Sequence, residues 1–338
     1  MNRSIFSRAV AAGTLAFAVL ASLPAHAGPF SALYVFGDSL SDNGNNAIAF
    51  GAAPAQVITG NSYVPSQAYA SGTYSNGPVW ATYFASMLGV PLAPSFVGGT
   101  DYAAGGATTG TAGEGPGGYP FSLRTQVGNY LTASGGAASS SALYVIAGGG
   151  NNARAALGAL AAPGAVAPDI IGAAAAAFAA DVGVMVDQLQ AAGAQRILVW
   201  NTPNLGLAPA VLVGGSSAAA AGTFLAGAMN AALAGRLGGE VGVTTFDLFG
   251  FGSRIAEKPA AFGFINTADA CGAIAGTDCS GFAYWDGIHP TTVAHSALAS
   301  AVFAVAVPVP EPETWALMAV GLLAVGWSAR HRQARAIA

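Results

Sequence analysis

At 338 residues the chain is long enough for one large domain or two small ones with a sizeable core. Charged residues make up only 8% of it against 53% hydrophobic, and the formal net charge is −4. With Lys258 as its single lysine it offers no basic patch to follow a phosphate backbone, which argues against nucleic-acid partners, and its periodic apolar segments argue against disorder.

In chain order, Arg3 and Arg8 precede an apolar stretch over 9–23, and Ala25-His26-Ala27 supplies a small-x-small cleavage pattern. That order predicts a signal peptide over 1–27, removed by signal peptidase, with the mature domain over 28–307. Ala32-Leu33-Tyr34-Val35-Phe36 then reads as a buried strand stopped by Gly37. Residues 51–72 and 105–118 are Gly-rich and predict long loops, with a weaker candidate strand at 101–104 between them. Leu143-Tyr144-Val145-Ile146, Ile197-Leu198-Val199-Trp200 and the stretch 243–246 complete five candidate strands. Between the third and fourth, Ile171, Phe178, Val182, Met185 and Leu189 fall on one face of a helix that Pro168 and Asp169 open and Gly193 ends. Strands and helices alternating in this way predict an α/β fold with a parallel sheet covered on both faces.

Cys271 and Cys279 are the only cysteines, too far apart for a Cys-x-x-Cys redox motif and without companion zinc ligands. In an oxidising compartment they are expected to form a disulfide; two separate buried thiols are the alternative. After them, Val309-Pro310-Glu311-Pro312-Glu313 leads into an uncharged run over 314–329, followed by Arg330, Arg332 and Arg335. The run is slightly short for a comfortable membrane span, and its basic end favours the cytoplasmic side. The tail at 308–338 resembles the PEP-CTERM sorting signal of Gram-negative bacteria. The resemblance implies transient membrane contact, cleavage by an exosortase and release to the cell surface or exterior. A permanent single-span anchor is the alternative.

Once both ends are gone, His289 and His295 are the only histidines left, which leaves no multi-histidine metal site. In an open α/β sheet, ligands gather beyond the carboxyl ends of the strands. There the chain carries Gly37-Asp38-Ser39-Leu40, Gly105-Gly106 and Gly149-Gly150-Asn151. A hydroxyl nucleophile, an exposed backbone N–H and an amide donor are what acyl transfer requires. Asp286-Gly287-Ile288-His289-Pro290 sets a carboxylate three residues before an imidazole, so that Asp286 can orient His289 as base. Pro290 is expected to start a helix through Val293, Leu298 and Val302, in which His295 is structural.

These segments, in this order, resemble the conserved blocks of the GDSL (SGNH) lipase/esterase family, in its lecithinase-like branch. The first block lies at 36–45, and the phrase Tyr74-Ser75-Asn76-Gly77-Pro78-Val79-Trp80 follows it. The second block lies at 101–107, the third at 149–152 and the last at 285–291. The resemblance implies a three-layer α/β/α sandwich with a mainly parallel five-stranded sheet, flavodoxin-like in arrangement. It implies a catalytic triad of Ser39, His289 and Asp286, and an oxyanion hole formed by the Ser39 N–H, the Gly106 N–H and the Asn151 side chain. No metal or organic cofactor is implied, and the substrate is an ester: a lipid, a short-chain ester or an acetylated glycan. One departure is Asn152, where the family usually has Asp; restoring Asp there is expected to leave activity similar or higher. A non-catalytic surface or matrix protein that kept the fold is the alternative function.

Overall fold

A computed structural model describes residues 29–50, 72–274, 276–307 and 317–327. The predicted signal peptide, nearly all of the loop at 51–72, and the Pro-Glu-Pro motif and basic end of the tail lie outside these residues. Within them the chain alternates strand and helix. β1 (Leu33–Gly37) leads to α1 (Asn45–Phe50), α2 (Trp80–Leu88) and α3 (Leu123–Ala133). β2 (Leu143–Ala147) is followed by α4 (Gly150–Leu160) and α5 (Ala167–Ala191), and β3 (Ile197–Trp200) by α6 (Pro209–Leu212) and α7 (Gly215–Leu237). β4 (Val243–Phe246), α8 (Leu248–Glu257), β5 (Asn266–Ala270), β6 (Phe282–Tyr284) and α9 (Thr292–Ala306) complete the domain. An apolar helix α10 (Leu317–Trp327), exposed along its length, belongs to the tail.

β1 to β4 form one parallel sheet in the order β1-β2-β3-β4. β1, β2 and β3 are apolar on both faces because both faces are covered, whereas the edge strand β4 exposes Thr244 and Thr245. Phe36, Tyr144, Ile146, Ile197 and Val199 point to a core built with α3, α4, α5 and α7. Their neighbours Leu33, Val35, Leu143, Val145, Leu198 and Trp200 point to a second core with α2, α8 and α9. This alternation makes three layers, as expected. In α5, Phe178, Val182, Met185 and Leu189 are buried, and the helix ends just before Gly193 at φ +111°.

The expected fifth strand at 101–104 is not a regular strand, and the main sheet has four. The segment does lie along β1: Val35 N–H donates to Thr100 O, Tyr102 N–H to Val35 O and Ala104 N–H to Gly37 O. The Asp101 side chain breaks the regularity by accepting from the backbone N–H groups of Asn43 and Ala103. A separate two-stranded parallel sheet of β5 and β6 was not anticipated. α9 starts at Thr292 rather than Pro290, with the Thr291 side chain accepting from Ala294 N–H as its cap.

Candidate active site

β1 ends at Gly37, where no side chain fits: a Cβ there would stand 2.8 Å from Ser41 Oγ and 2.9 Å from Ala147 O. Gln126 clamps this residue, accepting from Gly37 N–H at 2.8 Å and donating to Gly37 O at 2.9 Å. The chain then turns sharply around Asp38, whose carbonyl accepts from Ser41 and Asp42 N–H and whose carboxylate accepts from Leu40 N–H. Ser39 sits at the tip of this turn.

The second loop is fastened to the first by side chains that sequence reasoning passed over. Asp42 accepts from Gly44 and Asn45 N–H through one oxygen, and from Asn46 and Gly105 N–H through the other. Asn45 Nδ2 donates to Asp101 O and Ala103 O, and Asn46 Nδ2 to Gly105 O. With Gly105 N–H spent on Asp42, Gly106 is left as the residue of the pair whose N–H has no acceptor among the described residues; its φ of +85° suits glycine. Ser39 N–H likewise has no acceptor among them. The third loop contributes Asn151 from the first turn of α4, after Gly149 at φ +108°. Asn151 Nδ2 donates to Ala107 O at 2.8 Å, which sets this side chain beside the second loop.

Asp286 and His289 come from the loop between β6 and α9. His289 Nδ1 lies 2.7 Å from Asp286 Oδ2, and Nε2 lies 2.8 Å from Ser39 Oγ. The other Asp286 oxygen accepts from the N–H groups of Ile288 and His289, so the same carboxylate shapes the loop and holds the ring. Asp286 and His289 are buried. With Nδ1 donating to Asp286, Nε2 is free to accept the Ser39 hydroxyl proton.

The phrase at 74–80 acts as a strut for this loop. Ser75 Oγ donates to Pro290 O, Asn76 Oδ1 accepts from Thr292 N–H, and Thr292 Oγ1 donates to Pro78 O. The Tyr74 ring lies 5.4 Å from the His289 ring, centre to centre. On the far side, Cys271 and Cys279 form the expected disulfide and pack with Phe282 and Trp285. Gly272 N–H donates to Trp285 O at 2.7 Å, and Trp285 N–H to His289 O at 2.8 Å. The bridge is therefore connected to the histidine loop through one residue.

Asn152 holds Thr109, accepting from its N–H at 3.0 Å and donating to its hydroxyl at 2.9 Å. His295 is fully buried in α9, and neither ring nitrogen has a partner among the described residues. Burial, and then the nearby His289, push its pKa down to about 3. Burial pushes Asp38 up to about 6 against the pull of Leu40 N–H, and Asp42 up to about 6 against its backbone donors.

Ser39, His289 and Asn151 open onto a cavity of about 140 Å³. Its walls are mainly apolar: Leu205 and Leu207 after β3, Phe251 and Ile255 on α8, and Ile288 beside the histidine. Asp38 and Arg154 are charged residues in its lining, whereas Gly106 lies outside that lining.

Residues 33–302 match the family profile of the GDSL-like lipase/acylhydrolases. The chain belongs to that family. Residues 308–332 match the PEP-CTERM protein-sorting motif, which indicates export in Gram-negative bacteria. Among curated proteins, a stretch of 98 residues is 41% identical to "Lipase 1" of Photorhabdus luminescens, covering 29% of this chain and 12% of that protein. A stretch of 88 residues is 34% identical to "Acetylajmalan esterase 2" of Rauvolfia serpentina, covering 24% of each. The matches therefore span well under two thirds of either relative.

Proposed function

We propose that this GDSL-family chain is an exported serine esterase that cleaves carboxylic esters through an acyl-enzyme. The observation that carries the proposal is the unbroken run from Ser39 Oγ through His289 to Asp286, with contacts of 2.8 and 2.7 Å. In this mechanism His289 Nε2 takes the Ser39 proton as Oγ attacks the ester carbonyl, and Asp286 stabilises the imidazolium that forms. The carbonyl oxygen becomes an oxyanion facing the N–H groups of Ser39 and Gly106 and the Asn151 amide. His289 then protonates the leaving alcohol, and water repeats the sequence on the acyl-enzyme with His289 again as base. The apolar cavity is suited to an acyl chain, because a chain seated there would be removed from water. Signal peptidase and an exosortase are the proposed processing partners.

A fluorophosphonate probe should label Ser39 in the wild-type protein and leave Ser39→Ala unlabelled. Absence of labelling in folded wild type would favour a non-catalytic surface protein. Hydrolysis rates over nitrophenyl esters of increasing acyl length, with acetylated glycans alongside, would then define the substrate class.

A further inference from the structure

Asn151 has two donors and one acceptor at the end of a short side chain, and an oxyanion-binding role requires the nitrogen to face the substrate. One contact that favours this orientation is Ala107 O, which accepts from Nδ2 at 2.8 Å. The other comes from Arg154, one turn further along α4, whose Nη1 donates to Asn151 Oδ1 at 3.3 Å. Turning the amide over would set Oδ1 against a carbonyl and Nδ2 against a guanidinium, so both contacts would become repulsive. In the observed orientation one Nδ2 hydrogen is used by Ala107 and the second remains for the cavity.

We infer that Arg154 is a positioning residue that fixes the Asn151 amide as an oxyanion donor. This rests on the esterase proposal above. Arg154 is half-buried in the cavity lining, an unusual position for a cation among apolar walls. Burial lowers its pKa from the ordinary arginine value, while the carboxylates of Asp286 and Asp38 support its charge. The guanidinium thus lies in the field of the Asp286 carboxylate that orients His289 and also touches the amide that faces the oxyanion. Lysine would keep the charge but present no planar fork to hold an amide oxygen.

The test is a double-mutant cycle on nitrophenyl ester hydrolysis, comparing wild type, Arg154→Ala, Asn151→Ala and the double variant. Arg154→Ala should lower kcat roughly tenfold with KM little changed, as expected for losing a charge-assisted hydrogen bond that acts in the transition state. In the Asn151→Ala background the same change should lower kcat by less than about twofold, because its target is gone. Arg154→Lys should recover only part of the loss; it also replaces the alanine variant in the cycle should that protein not fold. Equal effects of the Arg154 change in both backgrounds would overturn the inference while leaving the esterase proposal intact. A rise in KM for anionic esters with kcat unchanged would also overturn it, making Arg154 a substrate-binding cation. Full kcat in Asn151→Ala would overturn both the oxyanion role of Asn151 and the inference built on it.

Discussion

Thr109 has one hydroxyl proton, and it goes to Asp181 Oδ2 at 2.8 Å, so its oxygen is left to accept from Asn152 Nδ2. Aspartate at 152 has no donor to offer there. It would also bring a second carboxylate near Asp181, which is already paired with Arg124 at 3.3 Å. Asn152→Asp is therefore expected to destabilise the protein by about 1–2 kcal/mol and to lower kcat, reversing the expectation from the family pattern alone. Thermal unfolding and initial rates of the two proteins check this; equal or better performance by the aspartate variant would reject it. The two histidines separate just as clearly. His289→Ala should abolish activity, whereas His295→Leu, which replaces a buried ring without a hydrogen-bond partner among the described residues, should keep most of it. Comparable losses in the two folded variants would sink the assignment of His289 as base. Ser39, Asp286 and His289 were legible in the sequence because each lies in a short motif whose neighbours force the turn. Asp42, Asn45, Asn46, Gln126 and Arg154 were not assigned roles. All but Arg154 have key partners roughly 56–89 residues away, a separation that no local pattern encodes.

The histidine loop is held from two sides, by the strut at 74–80 and by the disulfide. Gly77 in the strut meets Thr292 so closely that a Cβ would stand 2.6 Å from Thr292 Oγ1. Gly77→Ala should therefore displace Thr292, which bonds Asn76, Pro78 and Tyr83, and so shift the start of α9 and the loop before it. A displacement of about 1 Å at a triad can cost on the order of 100-fold in rate, so kcat should fall far more than thermal stability does. A kcat equal to wild type in a folded Gly77→Ala protein would show that the loop is held without the strut. On the other side, replacing both cysteines by serine removes a bridge worth roughly 2–3 kcal/mol and loosens Trp285. The double variant should lose activity at temperatures where it remains folded; full kcat there would reduce the disulfide to a surface staple. At this scale β1, β2 and β3 were plain from their continuous apolar runs, whereas β4 carries two exposed threonines between Val243 and Phe246. β5 and β6 were not plain, because Asn266–Ala270 is polar along most of its length and Phe282–Tyr284 has only 3 residues. The segment at 101–104 falls between the two cases: its backbone bonds to β1, but an aspartate occupied in turn bonding keeps it from extending the sheet.

Across the whole molecule, buried ionisable groups should make the fold more stable in mild acid than at neutral pH. Burial raises Asp38 and Asp42 to about 6 and Asp101 well above its ordinary value, with the Asp42 charge adding to the effect on Asp101. A raised carboxylate binds a proton in the folded chain at a pH where the unfolded chain has lost it. Its contribution is thus fully present below about pH 4 and is lost as pH rises through about 6. His295 has the opposite sign. Lowered to about 3 by burial, it contributes stability above the ordinary histidine value of about 6.5, and this is lost as pH falls towards 3. Between about pH 8 and 6 the unfolded histidine takes up a proton that buried His295 refuses, which offsets much of the carboxylate gain, so the midpoint of thermal unfolding should rise only slightly. Below about pH 6 three carboxylates gain stability against the one histidine that loses it, so the midpoint should climb more steeply as pH falls towards about 4. His295→Leu removes the opposing group, so its midpoint should rise more steeply than that of wild type, and its advantage should widen as pH falls. Unfolding midpoints for both proteins across pH 4–8 measure this directly. A wild-type midpoint highest at pH 8, or a His295→Leu advantage that does not grow on acidification, would mean that these buried groups do not govern the pH response of the fold.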